Sequence, residues 1–399
     1  MTKKEKREEV IFIFVMLVFA AVYSMKEYEH IFSGYNTTLF AFSYQYGFIS
    51  RGLLGTIWQG LDALLPWNLM SYKAIYLFSG LMNIIYIFLL ITVCVLCIRK
   101  ADVKQKRTMY YMSFFLGIVC FPVYWTDENY GRLDVYLMIL TLLSMILIIK
   151  EKWEWMVIPF CIIATMLHQG FVFTSVNIIL VLFWYKAFMR PEQRKKYIML
   201  FTLTFLSVSV LFVYFEFLSH VGGQEVANDI MEKAKAISID GQSYNTSLIN
   251  HEILGKGVFM DEWWFHKYNY EATIFFIIFF IPFILMGVRF LKGLVKDAKN
   301  KWPYLLIALG ASTLVPQIVL KVDYGRYSYY AFFYYIMAVM ACLAMKDEHV
   351  VFELANTKER LRRHMISPEL LLLYIMLFMP FLDVLYSDVI DKVKVVFFP

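Results

Sequence analysis

An all-α bundle of about eleven membrane-spanning helices (10–12) in a single domain is the fold this sequence predicts, with its N-terminus in the cytoplasm. Three observations carry the prediction. Hydrophobic residues form 60% of the chain, mean hydropathy is +0.59 and charged residues reach only 18%, against about 25% in a soluble chain. The apolar residues fall in runs close to the ~20 residues that cross a bilayer. Most lysines and arginines gather in loops that alternate between these runs, as they do on the cytoplasmic side of membrane proteins.

The elements follow in order. The run at 10–24 comes after "MTKKEKREE" with no small-residue cleavage site behind it, so it reads as a first span. Residues 53–65 carry apolar side chains at helical spacing, with Trp58 and Trp67 near the ends, and predict an amphipathic helix lying in the interface. Spans follow at 72–98, 109–125, 132–149, 156–168, 170–188, 198–218, 271–289, 303–320, 328–345 and 367–386. The pair 156–168 and 170–188 depends on a break at "HQG", and a single long span is the alternative. Two spans place "RKADVKQKR", "KEK", "KAFMRPEQRKK", "RFLKGLVKDAKNK" and the stretch around "KERLRRH" on the same side as the N-terminus. One span inverts that pattern after residue 170, so the charge distribution favours two short helices, or a re-entrant pair of the same parity. The long outer loop 219–270, rich in aromatic and polar residues, reads as a lid or substrate platform.

Several chemistries are excluded. The five cysteines all lie in apolar runs, where thiolates are unfavourable, so C-x-x-C at Cys94 and Cys97 is not a zinc or redox site. "HEILG" lacks the second histidine of a zinc protease. No Walker A loop and no G-x-G-x-x-G occurs, which argues against an energised pump or a cytoplasmic nucleotide-sugar enzyme. No feature points to nucleic acid.

On the outer side only three arginines remain, Arg51, Arg132 and Arg326, and each has a neighbouring glycine ("SRG", "YGR", "YGR"). Arginine presents a planar, permanently charged fork that suits phosphate. Arg51 at the head of the interfacial helix could hold a lipid phosphate. Asp127, Glu128, Arg132 and Asp134 cluster at one helix mouth beside Tyr130. Asp134 sits about half a turn inside its span, where an ionisable group normally faces a cavity or a partner. Asp323 and Arg326 flank Tyr324 at a second mouth, three residues apart and able to pair on a helix. His168 and Gln169 interrupt an apolar run, and a histidine there can carry a proton. The candidate acid–base residues are therefore His168, Asp127, Asp134 and Asp323. The candidate substrate-binding residues are Arg51, Arg132, Arg326, Glu128, Gln169, Tyr130 and Tyr324. Outward arginines, acids, one histidine and many tyrosines together suit a phosphorylated lipid that carries a sugar, and glycosyl transfer from it needs no nucleotide or other cofactor.

The size, the spans, the outward arginines and the "H-x-G" break resemble the Wzy-type (EpsG-like) bacterial polysaccharide polymerases. That resemblance implies a multi-pass protein of the bacterial plasma membrane with its site facing outward. It implies transfer of an undecaprenyl-pyrophosphate-linked glycan onto a second repeat unit of capsule, exopolysaccharide or O-antigen. Its implied partners are the lipid-linked glycan, membrane lipid, a flippase and a chain-length regulator. A second resemblance is to the GT-C glycosyltransferases, which use polyprenyl-monophosphate sugars and place a catalytic acid after the first span. "SMKEYEHIFSGYN" offers Glu27 and Glu29 there, and only this reading brings in a divalent metal. A transporter or lipid flippase would need charges within spans and repeated halves; the two YGR islands precede helices of the same direction, which leaves only a parallel repeat. An acyltransferase is disfavoured because "HQGFVF" lacks H-x-x-x-x-D.

Overall fold

The computed structural model describes residues 3–25, 33–121, 124, 130–219, 223–255, 267–314, 324–363, 367, 369–371 and 373; at 23–25, 267–280 and 324–328 it describes the backbone alone. Among the described residues every regular element is a helix and none is a strand. The all-α expectation therefore holds. Among the described residues two helices, Tyr72–Lys100 and Pro191–Phe217, are long and apolar enough to cross a membrane, and Glu154–Leu167, Val176–Met189, Trp302–Leu314 and Tyr329–Ala344 are shorter apolar helices.

Helix α1 (Lys3–Met25) is followed by short α2 (Gly34–Ala41) and by α3 (Gly52–Leu64), which replaces the expected interfacial helix with nearly the same bounds. Gly55 lets α3 cross α2 closely: a Cβ there would lie 1.8 Å from the Phe42 carbonyl oxygen and 2.7 Å from that of Phe40. Asp62 accepts the Leu69 backbone N–H at 2.6 Å and the Met70 N–H at 3.1 Å, which folds the chain back after α3. Ile57, Leu61 and Leu64 remain exposed on one side of α3, an unpartnered apolar face of the kind that lies on lipid.

Helices α4 (Tyr72–Lys100), α5 (Val103–Cys120) and α6 (Asp134–Lys150) form the centre of the bundle with α9 (Val176–Met189) and α15 (Tyr324–Ala344). Helix α7 (Val157–Leu167) ends at His168, which is extended (φ −161°, ψ 118°), and one turn, α8 (Phe171–Thr174), leads into α9. The break expected at "HQG" is present. Helix α10 (Arg194–Phe217) packs on α7 and α9 and leaves Met199, Leu203, Leu206, Val210, Val213 and Phe217 exposed in a 3–4 spaced row. Such a row is favourable only against an apolar neighbour. Helix α13 (Lys267–Lys296) is followed by α14 (Trp302–Leu309), which passes at Gly310 into a 3₁₀ turn reaching Leu314. The end of the span expected at 303–320 lies outside the described residues, as does most of that expected at 367–386. Most of the basic stretch "KERLRRH" lies in helix α16 (Glu348–Arg363).

At the basic end, the turn between α6 and α7 is fastened to the turn between α9 and α10. The Lys186 ammonium is fully buried, 3.0 Å from Glu154 and 3.5 Å from Glu151, and donates to the Ile148 carbonyl. Arg190 pairs with Glu151 at 2.6 Å, and Lys196 pairs with Glu154. A buried ammonium is tolerable only with this density of partners.

Candidate functional site

At the opposite end, segment 223–255 folds onto α2. Helix α11 (Gln224–Ile237) buries Ala227, Ile230, Ala234 and Ile237, at the spacing of one helix face, and lies against α2. Asn245 caps α12 (Thr246–Glu252) by accepting the Leu248 N–H at 2.7 Å, and the Asn245 N–H in turn donates to the Thr38 hydroxyl at 2.9 Å. The expected outer platform is thus a pair of helices, in its described part. Its second helix delivers His251 and Glu252 to the end of the bundle.

Glu252 is the centre of the cluster. Its side chain is 1% exposed, and its Oε1 lies 3.1 Å from Arg51 Nε, 3.3 Å from His251 Nδ1 and 3.5 Å from Gln169 Nε2. Burial alone would raise this carboxyl; the Arg51 charge, the His251 hydrogen bond and, whenever they are protonated, the charges of His251 and His168 more than offset it and hold Glu252 below the usual carboxylate range. Gln169 Oε1 accepts from the Ser50 hydroxyl. His168 Nδ1 lies 3.1 Å from the Gly170 backbone N–H, which donates to it, and 3.3 Å from Gln169 Oε1. With Nδ1 accepting, the neutral His168 ring carries its proton on Nε2.

Arg51 reaches inward because its own backbone is left-handed (φ 61°, ψ 3°) at the start of α3. A non-glycine residue held there costs on the order of 1–3 kcal/mol. Gly52 follows because a Cβ would lie 2.7 Å from the Tyr44 ring. Arg51 Nη1 donates to the Tyr35 hydroxyl at 2.7 Å, while the Arg132 guanidinium stands 5.0 Å above the face of the same tyrosine ring. One side chain of α2 therefore holds two arginines, one at its edge and one at its face. The turn that carries Arg132 is held in turn. Gly131 is left-handed (φ 85°), and Asn36 Nδ2 donates to the Tyr130 carbonyl at 2.6 Å.

Arg51, Arg132 and the adjacent His168 and Gln169, from three widely separated stretches of sequence, are brought together. Arg51 differs from the expectation in one respect: its side chain is 12% exposed and faces Glu252, not a lipid headgroup, because the left-handed backbone turns it into the bundle. Tyr130 is buried, with its hydroxyl donating to the Tyr76 carbonyl at 2.9 Å, and so anchors the turn. Asp134 opens α6, is buried and accepts from the Tyr330 hydroxyl at 2.9 Å. Asp127, Glu128 and Asp323 lie outside the described residues, and Tyr324 and Arg326 are described only as backbone in the first turn of α15. The two YGR islands differ in conformation, the first a glycine turn and the second helical.

Sequence reading missed Tyr35, Ser50, and the roles of His251 and Glu252. "HEILG" marked the last two as polar outer residues, but nothing in their neighbourhood linked them to Arg51. Among the described residues, no three His, Cys, Asp or Glu side chains are placed to hold a metal ion. No protein-family model matches the chain, and neither a curated protein nor a solved structure does so at a significant level.

Proposed function

We propose that this chain is a multi-pass membrane glycosyltransferase, resembling the Wzy-type polymerases, that joins polyprenyl-pyrophosphate-linked glycan units at the outer face of a bacterial plasma membrane. About eleven spans is the topology that fits the basic loops, the two long apolar helices and the exposed apolar rows. One observation supports the chemistry above the others: Arg51 and Arg132 share Tyr35 beside an imidazole–carboxylate pair.

In this reading Arg132, with Arg51 behind it, takes the pyrophosphate of the donor, and the Nε2–H of His168 adds a neutral donor. Fixed positive groups at the leaving oxygen lower the barrier by stabilising charge as it develops. Glu252 holds His251 with Nδ1–H toward its carboxylate, which leaves the Nε2 lone pair to accept a proton. The acceptor hydroxyl oxygen bonds to the anomeric carbon as the carbon–oxygen bond to pyrophosphate breaks. The bonding pair leaves with the lipid pyrophosphate and the hydroxyl proton passes to His251. No resident cofactor enters these steps.

The test is product length with purified protein and a lipid-linked repeat unit. Arg132→Lys should lose most activity, since an ammonium does not replace a guanidinium fork. Glu27→Gln and Glu29→Gln should keep it. The opposite result, in which Arg132→Lys is active and a Glu27 or Glu29 variant is dead, sinks this reading in favour of a GT-C enzyme.

A further inference from the structure

A second site lies on the far side of the bundle, between the C-terminal half of α13 and helix α16. A cleft of about 290 Å³ opens there, lined on α13 by Pro282, Leu285, Met286 and Arg289 and on α16 by Glu353, Asn356 and Arg360 among others. Arg289 and Arg360 are exposed, and neither has an ion-pair partner among the described residues. Elsewhere at this end Arg363 meets Glu359 at 3.5 Å, and Lys186, Arg190 and Lys196 are held by Glu151 and Glu154.

One acid lines the same cleft. Glu353 is 4% exposed, and its Oε2 lies so close to α13 that a Cβ on Gly293 would come within 2.3 Å of it. Asn356 Nδ2 donates to its other oxygen at 3.5 Å, and the Thr357 hydroxyl gives its proton to the Glu353 carbonyl at 2.8 Å. Glu353 is thus turned onto the α13 backbone, and the groups left to face a ligand are two guanidinium forks and the remaining Asn356 N–H. The apolar wall continues along α13 into Ile281, Ile284 and Val288, all exposed.

We infer that this cleft binds the phosphate of an anionic membrane lipid, with the phosphate on Arg289 and Arg360 and an acyl chain along Leu285 and Ile281. Two unpaired arginines match a phosphodiester. A bare phosphate would gain nothing from the apolar wall, whereas basic clefts between helices at the cytoplasmic face suit lipid headgroups. The inference rests on the proposed membrane topology but not on the proposed reaction at the other end.

The test uses the full-length protein, stripped of lipid in uncharged detergent and titrated with phosphatidylglycerol, phosphatidylcholine or inorganic phosphate. Binding is read by native mass spectrometry and by the rise in Tm. Phosphatidylglycerol should bind and raise Tm, while phosphatidylcholine and inorganic phosphate should not. Arg289→Gln and Arg360→Gln should each weaken phosphatidylglycerol binding about tenfold, while Arg363→Gln, outside the cleft, should leave it unchanged. Equal binding of phosphatidylglycerol by the Arg289→Gln, Arg360→Gln double variant overturns the site, and an equal response to inorganic phosphate overturns its assignment to lipid. Neither readout involves glycan transfer, so a failed polymerase reading would be distinguishable.

Discussion

Removing the charge of Glu252 tests the centre of the arginine–histidine cluster. Glu252→Gln preserves the shape but takes from Arg51, 12% exposed, the carboxylate that lies 3.1 Å from its Nε. At about 4 Å between charge centres and an effective dielectric near 20, the gross attraction is about 4 kcal/mol. Desolvation opposes it, yet removing one partner of a buried pair costs about 3–5 kcal/mol because the other charge is stranded. Arg51→Gln strands the carboxylate instead, with only the histidines to balance it. The double variant strands neither, so its loss should fall short of the summed single losses by about 2 kcal/mol. Thermal unfolding in detergent measures this as Tm. The pH dependence gives a second readout. The folded carboxyl titrates below its unfolded value of about 4.3, so its contribution is present above that pH and is lost as pH falls through it toward the folded value. Wild type should lose Tm below about pH 4 more steeply than Glu252→Gln. Additive Tm losses in the cycle, together with the same acid profile in both proteins, would refute a coupled, ionised pair.

Other consequences are as direct. Gly55→Ala should destabilise by about 3 kcal/mol or more, because the added carbon meets backbone carbonyls that cannot yield; a Tm within a degree of wild type would contradict the α2–α3 crossing. His251→Gln should lower kcat at least about a hundredfold with a small change in KM, and Glu252→Asp should recover part of the rate lost in Glu252→Ala; unaltered kcat in His251→Gln would remove the imidazole from the chemistry. Asn228→Cys on exposed α11 should react with an impermeant maleimide added outside cells, since the native cysteines among the described residues are buried; reaction only after lysis would reverse the proposed orientation.

What the sequence could show divides along physical lines. Helix positions follow from local runs of apolar residues, and the break at His168 follows from two adjacent polar residues and a glycine, so both were visible before any coordinates. The convergence of Arg51, Arg132 and Gln169 was visible only as a shared side of the membrane, since charge distribution gives sidedness but no distances. Tyr35 was invisible because its role comes from tertiary placement: one ring holding two arginines from different segments. Glu252 was hidden for a related reason. Its partner Arg51 lies about two hundred residues away, and its turn inward depends on a left-handed backbone that a non-glycine residue does not advertise. Helix α16 does not stand out in the sequence because its charges dominate the pattern. Its apolar positions Val350, Val351 and Leu354 are enough for a helix that packs on α13.

The most direct test is to supply the purified protein, in a bilayer, with one polyprenyl-pyrophosphate-linked oligosaccharide repeat unit and no nucleotide sugar. A ladder of products growing by whole repeat units, released lipid pyrophosphate in equal number to the bonds formed, and the loss of both in Arg132→Lys is the predicted result. Failure of wild type to form any ladder, or a ladder that persists in Arg132→Lys, would contradict glycosyl transfer at the arginine cluster.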